Sequence, residues 1–238
     1  VKERIKSVLS YKKPSFWISL VGVIAIVFVA VCLVTSPARK DAEAAGGTEP
    51  TSVSDAVSVH NVDELLAAIA PATVIQLEPG TYNLSSATGY GLPSENPYYA
   101  WTEMYDGFEL MLQNVKNLTI RGSGKLTTTL ECDPRSASVV HLTGCENVTL
   151  EDFTAGHTLE LGECSSGVIY LQNCPGTDMN RLGIYGCGMI GLQAEYSKDI
   201  SLADSDVYDC SSSAVQLASC ENVSIAGTRI YRIGSQEY

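Results

Sequence analysis

Three tyrosines recur at one spacing in the C-terminal part of the sequence and are the first candidates for ligand contact. Tyr185, Tyr208 and Tyr231 lie 23 residues apart, and each directly follows an apolar residue. Successive side chains of a strand point to opposite faces, so tyrosines outside require these apolar residues inside. The residues expected inside are Ile184, Val207 and Ile230. Because sugar rings stack on tyrosine faces, the spacing predicts a polysaccharide-binding groove; the alternative is cross-strand stacking that only stiffens a sheet.

Charged and titratable side chains occupy the next position of the same repeat. This line contains His157, Gly186, Asp209 and Arg232, so a base, an acid and a cation would flank the tyrosines. We therefore expect Asp209 and Arg232 to contact the same ligand.

Another line of the repeat places Arg181 between Asp152 and Asp204. Acid–base cleavage of a glycosidic bond requires two carboxylates roughly 5–9.5 Å apart, which neighbouring repeats allow. The candidates for catalysis are thus Asp152, Arg181, Asp204 and His157, although the catalytic residues stay unknown. A surface ion ladder explains the same line, and we favour that interpretation.

Aromatic residues also crowd the segment Asn96–Phe108, NPYYAWTEMYDGF. Tyr98, Tyr99, Trp101 and Tyr105 fall in what we expect to be a loop between strands. Exposed aromatic side chains on a loop favour ligand contact, so these four are included among the ligand-binding candidates. The alternative is that they fold back over the first repeats as a lid.

The tyrosine spacing belongs to a longer internal repeat. The phrases CENVTL (145–150) and CENVSI (220–225) are nearly the same, and apolar positions recur between them at steps of 29, 23 and 23 residues. Three such lines are Leu150, Met179, Leu202, Ile225; Ala155, Ile184, Val207, Ile230; and Val148, Thr177, Ile200, Val223. A repeat of this length with short strands and turns is one coil of a solenoid, which buries its apolar side chains only by stacking on its copies.

These features predict an all-β solenoid over residues 57–238, specifically a right-handed parallel β-helix. We expect its C-terminal end to be either a bare last coil or an interrupted one. A leucine-rich solenoid is the rival, but its Leu-x-x-Leu-x-Leu frame is missing. The segment Asn61–Ala70 begins with Asn61 as a cap and Glu64 three residues later, which predicts a helix that covers the open end of the first coil.

Residues 57–238 resemble the pectin-lyase-like β-helix superfamily, and GHT (156–158) with YGCG (185–188) is similar to a bacterial subgroup of it. Polygalacturonase-like members carry an Asn-Thr-Asp, an Asp-Asp pair, a Gly-His-Gly and an Arg-x-Lys, and only GHT echoes one of these. Pectate-lyase-like members use an arginine base and calcium-binding acids; Arg181 and Arg232 are the only plausible bases here, and neither has a clear acid cluster. The comparison argues against catalysis, and the reaction class of an enzyme would be polysaccharide lyase or glycoside hydrolase.

Residues 16–36 are predicted to form one transmembrane α-helix that precedes the β-helix. Nineteen residues without a charge (16–34) form about 28 Å of helix at ~1.5 Å per residue, close to the ~30 Å hydrocarbon core. The basic residues in the tail 1–15 predict a cytoplasmic N-terminus, which places the β-helix outside the cytoplasm. The composition of residues 37–56 predicts a flexible linker between the two. A cleaved signal peptide is the alternative.

The sequence KERIKSVLSYKKPSFW (2–17) and the apolar run after it resemble the last transmembrane helix of the β-lactam-sensing antirepressor metallopeptidases of Gram-positive bacteria. The resemblance covers about residues 2–38 and lacks the His-Glu-x-x-His helix of that family. It therefore implies a single-pass topology at the cell membrane, and a place in a longer signalling protein, but no protease activity.

Charge is divided unevenly along the chain. Residues 1–40 contain seven of the 15 Lys and Arg and one of the 27 acidic residues, which leaves 8 basic and 26 acidic residues, a net charge of −18, on the remainder. Such a body repels nucleic acid and anionic membrane surfaces. A neutral polymer, a cationic partner or a divalent metal fits better, and solubility alone also explains the acidity. Ca²⁺ would suit the acids, but no motif supports it, so we expect no cofactor and no metal site.

Cysteines and asparagines also follow the repeat. Cysteines share lines of the repeat as follows: Cys145, Cys174 and Cys220; Cys187 and Cys210. Stacked cysteines are predicted to be small core residues, with a disulfide between coils as the alternative. The triplets Asn-x-Ser/Thr begin at Asn83, Asn117, Asn147 and Asn222. Three of these share one turn with Asp199, which predicts a hydrogen-bonded ladder rather than glycosylation.

The function that these patterns favour is a membrane-anchored domain outside the cytoplasm that binds or senses a polysaccharide or cell-wall glycan. The first alternative is a divergent polysaccharide lyase or glycoside hydrolase, which the missing motifs disfavour. The second alternative is a structural or adhesive spacer, which the aromatic line disfavours.

Overall fold

The computed structural model describes residues 56–158, 166–186 and 189–234. The predicted cytoplasmic tail (1–15), the transmembrane helix (16–36) and the linker up to residue 55 lie outside the described residues. Within the described ranges, no helix has the length and apolar character needed to span a bilayer.

The described strands, numbered in chain order, form three sheets. Sheet A contains β1 (Val57–Val59), β2 (Val74–Leu77), β6 (Thr119–Arg121), β9 (Val148–Glu151), β12 (Thr177–Asn180), β15 (Lys198–Ala203) and β18 (Glu221–Ala226). Sheet B contains β3 (Gly80–Asn83), β7 (Thr128–Cys132), β10 (Thr154–His157), β13 (Gly183–Tyr185), β16 (Asp206–Tyr208) and β19 (Arg229–Tyr231). Sheet C contains β4 (Tyr99–Met104), β5 (Gly107–Gln113), β8 (Val140–Thr143), β11 (Gly167–Gln172), β14 (Ile190–Glu195) and β17 (Ser213–Ala218).

The order of the strands is that of a parallel β-helix. From β5 onward the chain visits sheets A, B and C in turn, and each strand pairs in parallel with the strand of the coil before it. The exception is the hairpin of β4 and β5, which is antiparallel. Each coil thus buries its apolar side chains against the next coil, as the repeat requires.

The three lines of the repeat are confirmed residue by residue. Leu150 pairs with Met179, Met179 with Leu202, and Leu202 with Ile225, and the other two lines have the same register. The one polar member, Thr177, is fully buried, and its hydroxyl donates to the carbonyl oxygen of Cys174 at 3.4 Å. The register therefore satisfies even the polar position of the core.

Burial follows this register except in the last described coil. Ile184 and Val207 have no exposed surface, as expected, but Ile230 is 49% exposed and Ile225 is 43% exposed. The expectation that Ile230 is buried is wrong, because no further coil in the described ranges covers it. The prediction of a bare or an interrupted last coil stays a prediction.

Asparagines connect the coils at the turn before sheet A, as predicted. The Asn147 side-chain amide donates to Asn117 Oδ1 at 3.1 Å, and that of Asn222 donates to Asp199 Oδ1 at 2.9 Å. All four residues have a positive φ, between 53° and 57°, which Asn and Asp tolerate better than most residues. In the coil between these two pairs, Gly176 occupies the position that Asn or Asp occupies in the other coils. An added Cβ at Gly176 would lie 2.5 Å from Asn147 Oδ1.

A short helix and the cysteines complete the core. The helix α1 (Val62–Ala68) has Asn61 as its N-cap, as predicted, and directs Val62, Leu65 and Leu66 into the core. A 3₁₀ helix covers Leu84–Ser86. The described cysteines are free thiols, and their prediction as core residues is confirmed for three members of the two lines, Cys145, Cys174 and Cys210, which have no exposed surface. Cys220 is half-buried, and Cys187 lies outside the described ranges.

Candidate functional site

The three predicted tyrosines form one continuous strip on the outer face of sheet B. Tyr185 pairs with Tyr208 and Tyr208 with Tyr231 in the parallel register. Their ring centroids are separated by 5.6 Å and 5.1 Å, and the planes of neighbouring rings differ by 12° and 2°. We call these three residues the tyrosine strip.

Stacking within the tyrosine strip changes the way in which it can contact a ligand. Nearly parallel rings about one strand spacing apart turn their faces towards one another. The expectation that sugar rings would stack on open tyrosine faces is therefore wrong for the middle ring, Tyr208, which has a neighbour on each side. The hydroxyl groups have no hydrogen-bond partner among the described residues, and they offer a row of donors and acceptors instead.

Two of the three phenols, those of Tyr185 and Tyr208, have a raised pKa. Burial, and next the neighbouring Tyr231 and Tyr185, raise the pKa of Tyr208 to about 12. Burial and then the Glu131 carboxylate raise the pKa of Tyr185. The hydroxyls of Tyr185 and Tyr208 can therefore donate a hydrogen bond to a ligand oxygen at neutral pH.

In the coil before that of Tyr185, Gly156 occupies the position that corresponds to the tyrosine strip. An added Cβ at Gly156 would lie 2.4–2.7 Å from three carbons of the Tyr185 ring, so the ring lies directly over this glycine. Glu131 takes the position in the coil before Gly156. Burial, and then Asp133, raise the pKa of Glu131, which places an acid with a raised pKa at this end of the strip.

An ion pair flanks the strip on the side that the sequence predicts. Asp209 and Arg232 form two hydrogen bonds, Nε to Oδ1 at 2.5 Å and Nη2 to Oδ2 at 2.6 Å. The guanidinium carbon of Arg232 lies 4.8 Å from the ring centroid of Tyr231 and 5.5 Å from that of Tyr208. Arg232 thus carries a cation over the aromatic rings while Asp209 holds it in place.

A second set of charges borders the strip on the opposite side. Asp206 is 4% exposed and binds both Lys125 and Arg229, the latter at 2.6 Å. These hydrogen bonds, that of Arg229 above all, lower the pKa of Asp206. The Lys125 carbonyl oxygen accepts a hydrogen bond from Thr154 Oγ1 on β10 at 2.6 Å, and the Lys125 ammonium group binds Asp206 on β16. Lys125 therefore links these two strands. The strip therefore lies between the Asp209–Arg232 ion pair and the cluster of Asp206 with Lys125 and Arg229.

His157 does not join this surface. Its side chain is 2% exposed, and its Nε2 donates to the Ala137 carbonyl oxygen at 2.9 Å. Burial lowers the pKa of His157, so the imidazole is neutral at pH 7. The base that was expected beside the tyrosines is inside the protein, because residue 157 follows the outward-facing Gly156 and points the other way.

In the line of Asp152, Arg181 and Asp204, Arg181 pairs with Asp152 at the surface, and Asp204 has no ion-pair partner among the described residues. Arg181 binds Asp152 through two hydrogen bonds of 2.6 Å and Glu151 through one of 2.9 Å. The pKa of Asp152 is lowered, first of all by the hydrogen bond from Arg181. A carboxylate neutralised in this way is a poor general acid, and the geometry supports the ion ladder that we favoured for Asp152 and Arg181 but not for Asp204.

The aromatic segment Asn96–Phe108 contains a strand, Tyr99–Met104, where a loop was expected. This strand is β4, which pairs with β5, and Tyr98, Tyr99 and Trp101 pack against the core as partly buried side chains. Trp101 meets the edge of Tyr90 at a centroid distance of 5.0 Å. Tyr105 is 99% exposed at the turn of the hairpin. The first three aromatics thus serve as a lid, and Tyr105 alone of the four is fully open to a ligand.

A polar row on the outer face of sheet C escaped the sequence analysis. It contains a buried imidazole, His141, and a half-buried ring, Tyr170, and the buried carboxylate of Glu109, from outside this row, contacts the imidazole. His141, Tyr170 and Gln193 pair across three strands at the steps of 29 and 23 residues. The repeat therefore contained the spacing of these three residues, and an alignment extended to the strands of sheet C would have found it. Among the described residues, no group of three or more His, Cys, Asp or Glu side chains is arranged to hold a metal ion.

The comparisons with known proteins agree with this architecture. Residues 106–236 match the model of a family described as a right-handed β-helix region, which is more than half of the chain. No curated protein matches. Among solved structures, the catalytic unit of a thermostable GH87 α-1,3-glucanase from Streptomyces thermodiastaticus strain HF3-3 is similar, with 18% identity and a TM-score of 0.52 over 81% of this chain. The match spans 33%, about a third, of the glucanase unit.

A candidate glycosyl hydrolase from Parabacteroides merdae ATCC 43184 is more distant, with 10% identity and a TM-score of 0.43, over 74% of this chain and 77% of that one. At 18% identity the similarity to the glucanase unit concerns the fold alone.

Proposed function

Because the chain belongs to the right-handed β-helix family, we propose that its solenoid binds a polysaccharide along the tyrosine strip. The ligand chain runs parallel to the solenoid axis, across β13, β16 and β19. Its hydroxyl groups meet the phenol hydroxyls, and Asp209 with Arg232 forms one wall.

The continuity of the strip carries this proposal. Three phenols succeed one another at 5.6 Å and 5.1 Å, a spacing comparable with the length of one sugar unit in an extended glycan. A repeating ligand would therefore meet a repeating surface, so that each additional coil adds one further contact.

Charge defines the class of glycan. The part of the chain after residue 40 carries a net charge of −18, which disfavours polymers of uronic acids. Beside the strip, Arg232 is bound by Asp209, and Arg229 and Lys125 share Asp206, so each of these three cations already has a carboxylate partner within the protein. A neutral glycan, or one with amino sugars, fits this surface. The similarity to an α-1,3-glucanase makes α-1,3-linked glucose one probe among others.

The location of the domain rests on the sequence. Under this proposal residues 16–36 cross the cell membrane once, the tail 1–15 is cytoplasmic, and the β-helix faces outwards as the binding or sensing part of a signalling protein. Protease treatment of intact cells that express the full chain tests the topology. Digestion of the β-helix epitope with protection of an N-terminal tag supports it, and protection of both contradicts it.

Titration calorimetry with neutral hexasaccharides tests the binding site. The probes are α-1,3-, β-1,3- and β-1,4-linked glucose hexamers, with hexagalacturonate as the charged comparison. We expect one neutral hexamer to bind and the double variant Tyr185→Ala, Tyr208→Ala to bind at least about tenfold more weakly, a loss of roughly 1.4 kcal/mol. Tyr196→Ala, which removes a tyrosine that is 63% exposed and lies outside the strip, is the matched control.

Equal affinities of the double variant and the wild-type protein would exclude the strip as the site. The parallel stacking itself favours one second candidate, a stiff spacer whose tyrosines serve only the sheet. That function predicts that the double variant loses stability while none of the neutral hexamers binds the wild-type protein.

A further inference from the structure

The polar row on sheet C contains a histidine that a carboxylate positions from behind. Glu109 and His141 are 5% and 9% exposed, and Glu109 Oε1 lies 2.6 Å from His141 Nδ1. The other carboxylate oxygen accepts the backbone N–H of Ser138. Burial alone would raise the pKa of Glu109, but the hydrogen bonds from His141 and Ser138 outweigh it and lower the pKa.

This arrangement fixes the tautomer of the imidazole. A carboxylate accepts hydrogen bonds, so the proton of a neutral His141 is on Nδ1 and the lone pair is on Nε2. His141 Nε2 is buried and has no hydrogen-bond partner among the described residues. A buried acceptor without a donor is rare in folded proteins and marks a position that a ligand hydroxyl can complete.

The neighbours of His141 are hydrogen-bonding side chains on successive coils. Two outward rows of sheet C consist of Met111, His141, Tyr170, Gln193 and Gln216, and of Gln113, Thr143, Gln172, Glu195 and Ala218. These ten positions hold four glutamines and neither Lys nor Arg. Amides, hydroxyls and one carboxylate are the groups that recognise sugar hydroxyls, whereas a phosphate or uronate would require a cation.

An aromatic ring lies against the imidazole and is held by the same rows. The Tyr170 ring centroid is 4.7 Å from that of His141, at an angle of 35°. The Tyr170 hydroxyl donates to Glu195 Oε2 at 3.1 Å and accepts from Gln172 Nε2 at 3.3 Å. Gln193 Nε2 donates to the second Glu195 oxygen at 3.0 Å. A ligand hydroxyl that competes for Glu195 would release Tyr170, and the ring could then turn away from His141.

We propose that this face of sheet C, from His141 to Glu195, is a second binding site for a neutral sugar chain. His141 Nε2 accepts one ligand hydroxyl, Gln193 and Glu195 bind further hydroxyls, and Glu109 holds the imidazole in the accepting tautomer. The site is separate from the tyrosine strip, which lies on sheet B.

Nitrogen NMR of the histidines tests the proposal in the intact folded protein. The chain contains three histidines, His60, His141 and His157, so the ¹⁵N signals are readily assigned. The probes are the three neutral glucose hexamers at millimolar concentration. We expect one of them to shift His141 Nε2 in a saturable way, since a new hydrogen bond reaches that atom. The signals of the other two histidines should not move.

Two surface variants separate this site from the tyrosine strip. Gln193→Ala should weaken the saturable shift about three- to tenfold, as expected for the loss of one hydrogen bond. Tyr208→Ala should leave the shift at His141 unchanged. Both substitutions are on the outer surface, so they keep the Glu109–His141 pair intact.

Three results would overturn the proposal: no shift at His141 with any of the three hexamers, a shift that Gln193→Ala leaves unaltered, or a shift that Tyr208→Ala abolishes. The third result would assign all of the binding to the tyrosine strip. A result against the tyrosine strip as a binding site would look different. In that case the double variant Tyr185→Ala, Tyr208→Ala would leave the calorimetric affinity for the hexamer unchanged, and Gln193→Ala would reduce it.

Discussion

A methyl group at Gly156 would take the space in which the Tyr185 ring lies. The added Cβ would be 2.4 Å from Cε1 and 2.6 Å from Cζ of Tyr185, well inside the contact distance of two carbon atoms. The backbone at Gly156 does not have a positive φ, so alanine fits the main chain. The side chain of Tyr185 therefore has to move, and it leaves its place in the tyrosine strip.

The size of the effect follows from what the ring loses. Its stacking on Tyr208, at 5.6 Å and 12°, contributes about 0.5–1.5 kcal/mol. Exposure of part of one ring face adds roughly 1 kcal/mol at about 25 cal/mol/Å². Alanine in place of glycine in a strand returns about 0.5 kcal/mol. We expect Gly156→Ala to lower the free energy of unfolding by about 1–2 kcal/mol.

A double-mutant cycle measured by urea denaturation checks the cause. In the Tyr185→Ala background no ring lies over residue 156, so Gly156→Ala should be neutral or stabilise the protein by about 0.5 kcal/mol. Gly89→Ala, where an added Cβ meets no atom within 4 Å, is the control for a general effect of alanine. A coupling energy below about 0.5 kcal/mol would show that Tyr185 does not rest on Gly156.

Three further predictions concern the core, the buried histidine and the surface charges. Leu150→Ala should destabilise the protein by about 2–5 kcal/mol, whereas Ile225→Ala, on the same line but 43% exposed, should have a clearly smaller effect in the same urea titration. The pKa of His157 is lowered by burial, so the unfolded chain binds the proton more tightly; stability should fall as the pH drops below about 6.5, by at most about 1.4 kcal/mol per pH unit, and His157→Gln should remove that part of the slope. Arg181→Ala should cost at most about 1 kcal/mol and less in high salt, because its ion pair with Asp152 is largely exposed; a larger, salt-independent loss would contradict the surface ladder.

The sequence was sufficient for the register because identical positions of successive coils must be chemically alike. Leu150, Met179, Leu202 and Ile225 had to be apolar together, so their spacing revealed the coil length before any coordinates. The same argument placed the tyrosine strip and the asparagine ladder. It failed for Ile230, since burial depends on the coil that follows and not on the residue itself.

The repeat in the sequence could not predict side-chain directions or the structure of irregular segments. A period places Cβ atoms but does not set torsion angles, so it could not show that the tyrosine rings face one another. Between Ile75 and Ile120 the step is longer than in later coils, and the extra residues contain β4, for which no second copy exists to compare. Glu109 and His141 belong together through a contact between different rows, which no periodic alignment can detect.

The outward side chains of sheets B and C belong to the same coils but differ in how far they already interact within the protein. On sheet B the outward side chains interact chiefly with their own kind, as Tyr208 does with two rings, so part of their contact surface is already satisfied within the protein. On sheet C the outward side chains are donors and acceptors such as Gln193, and one acceptor, His141 Nε2, is unpaired among the described residues. Because Tyr208 and Gln193 share no side-chain partner, their substitutions should have additive effects on stability. Additivity would show that the two faces of the solenoid contribute to stability independently, whereas strong coupling would show that a change in one face alters the packing of the other.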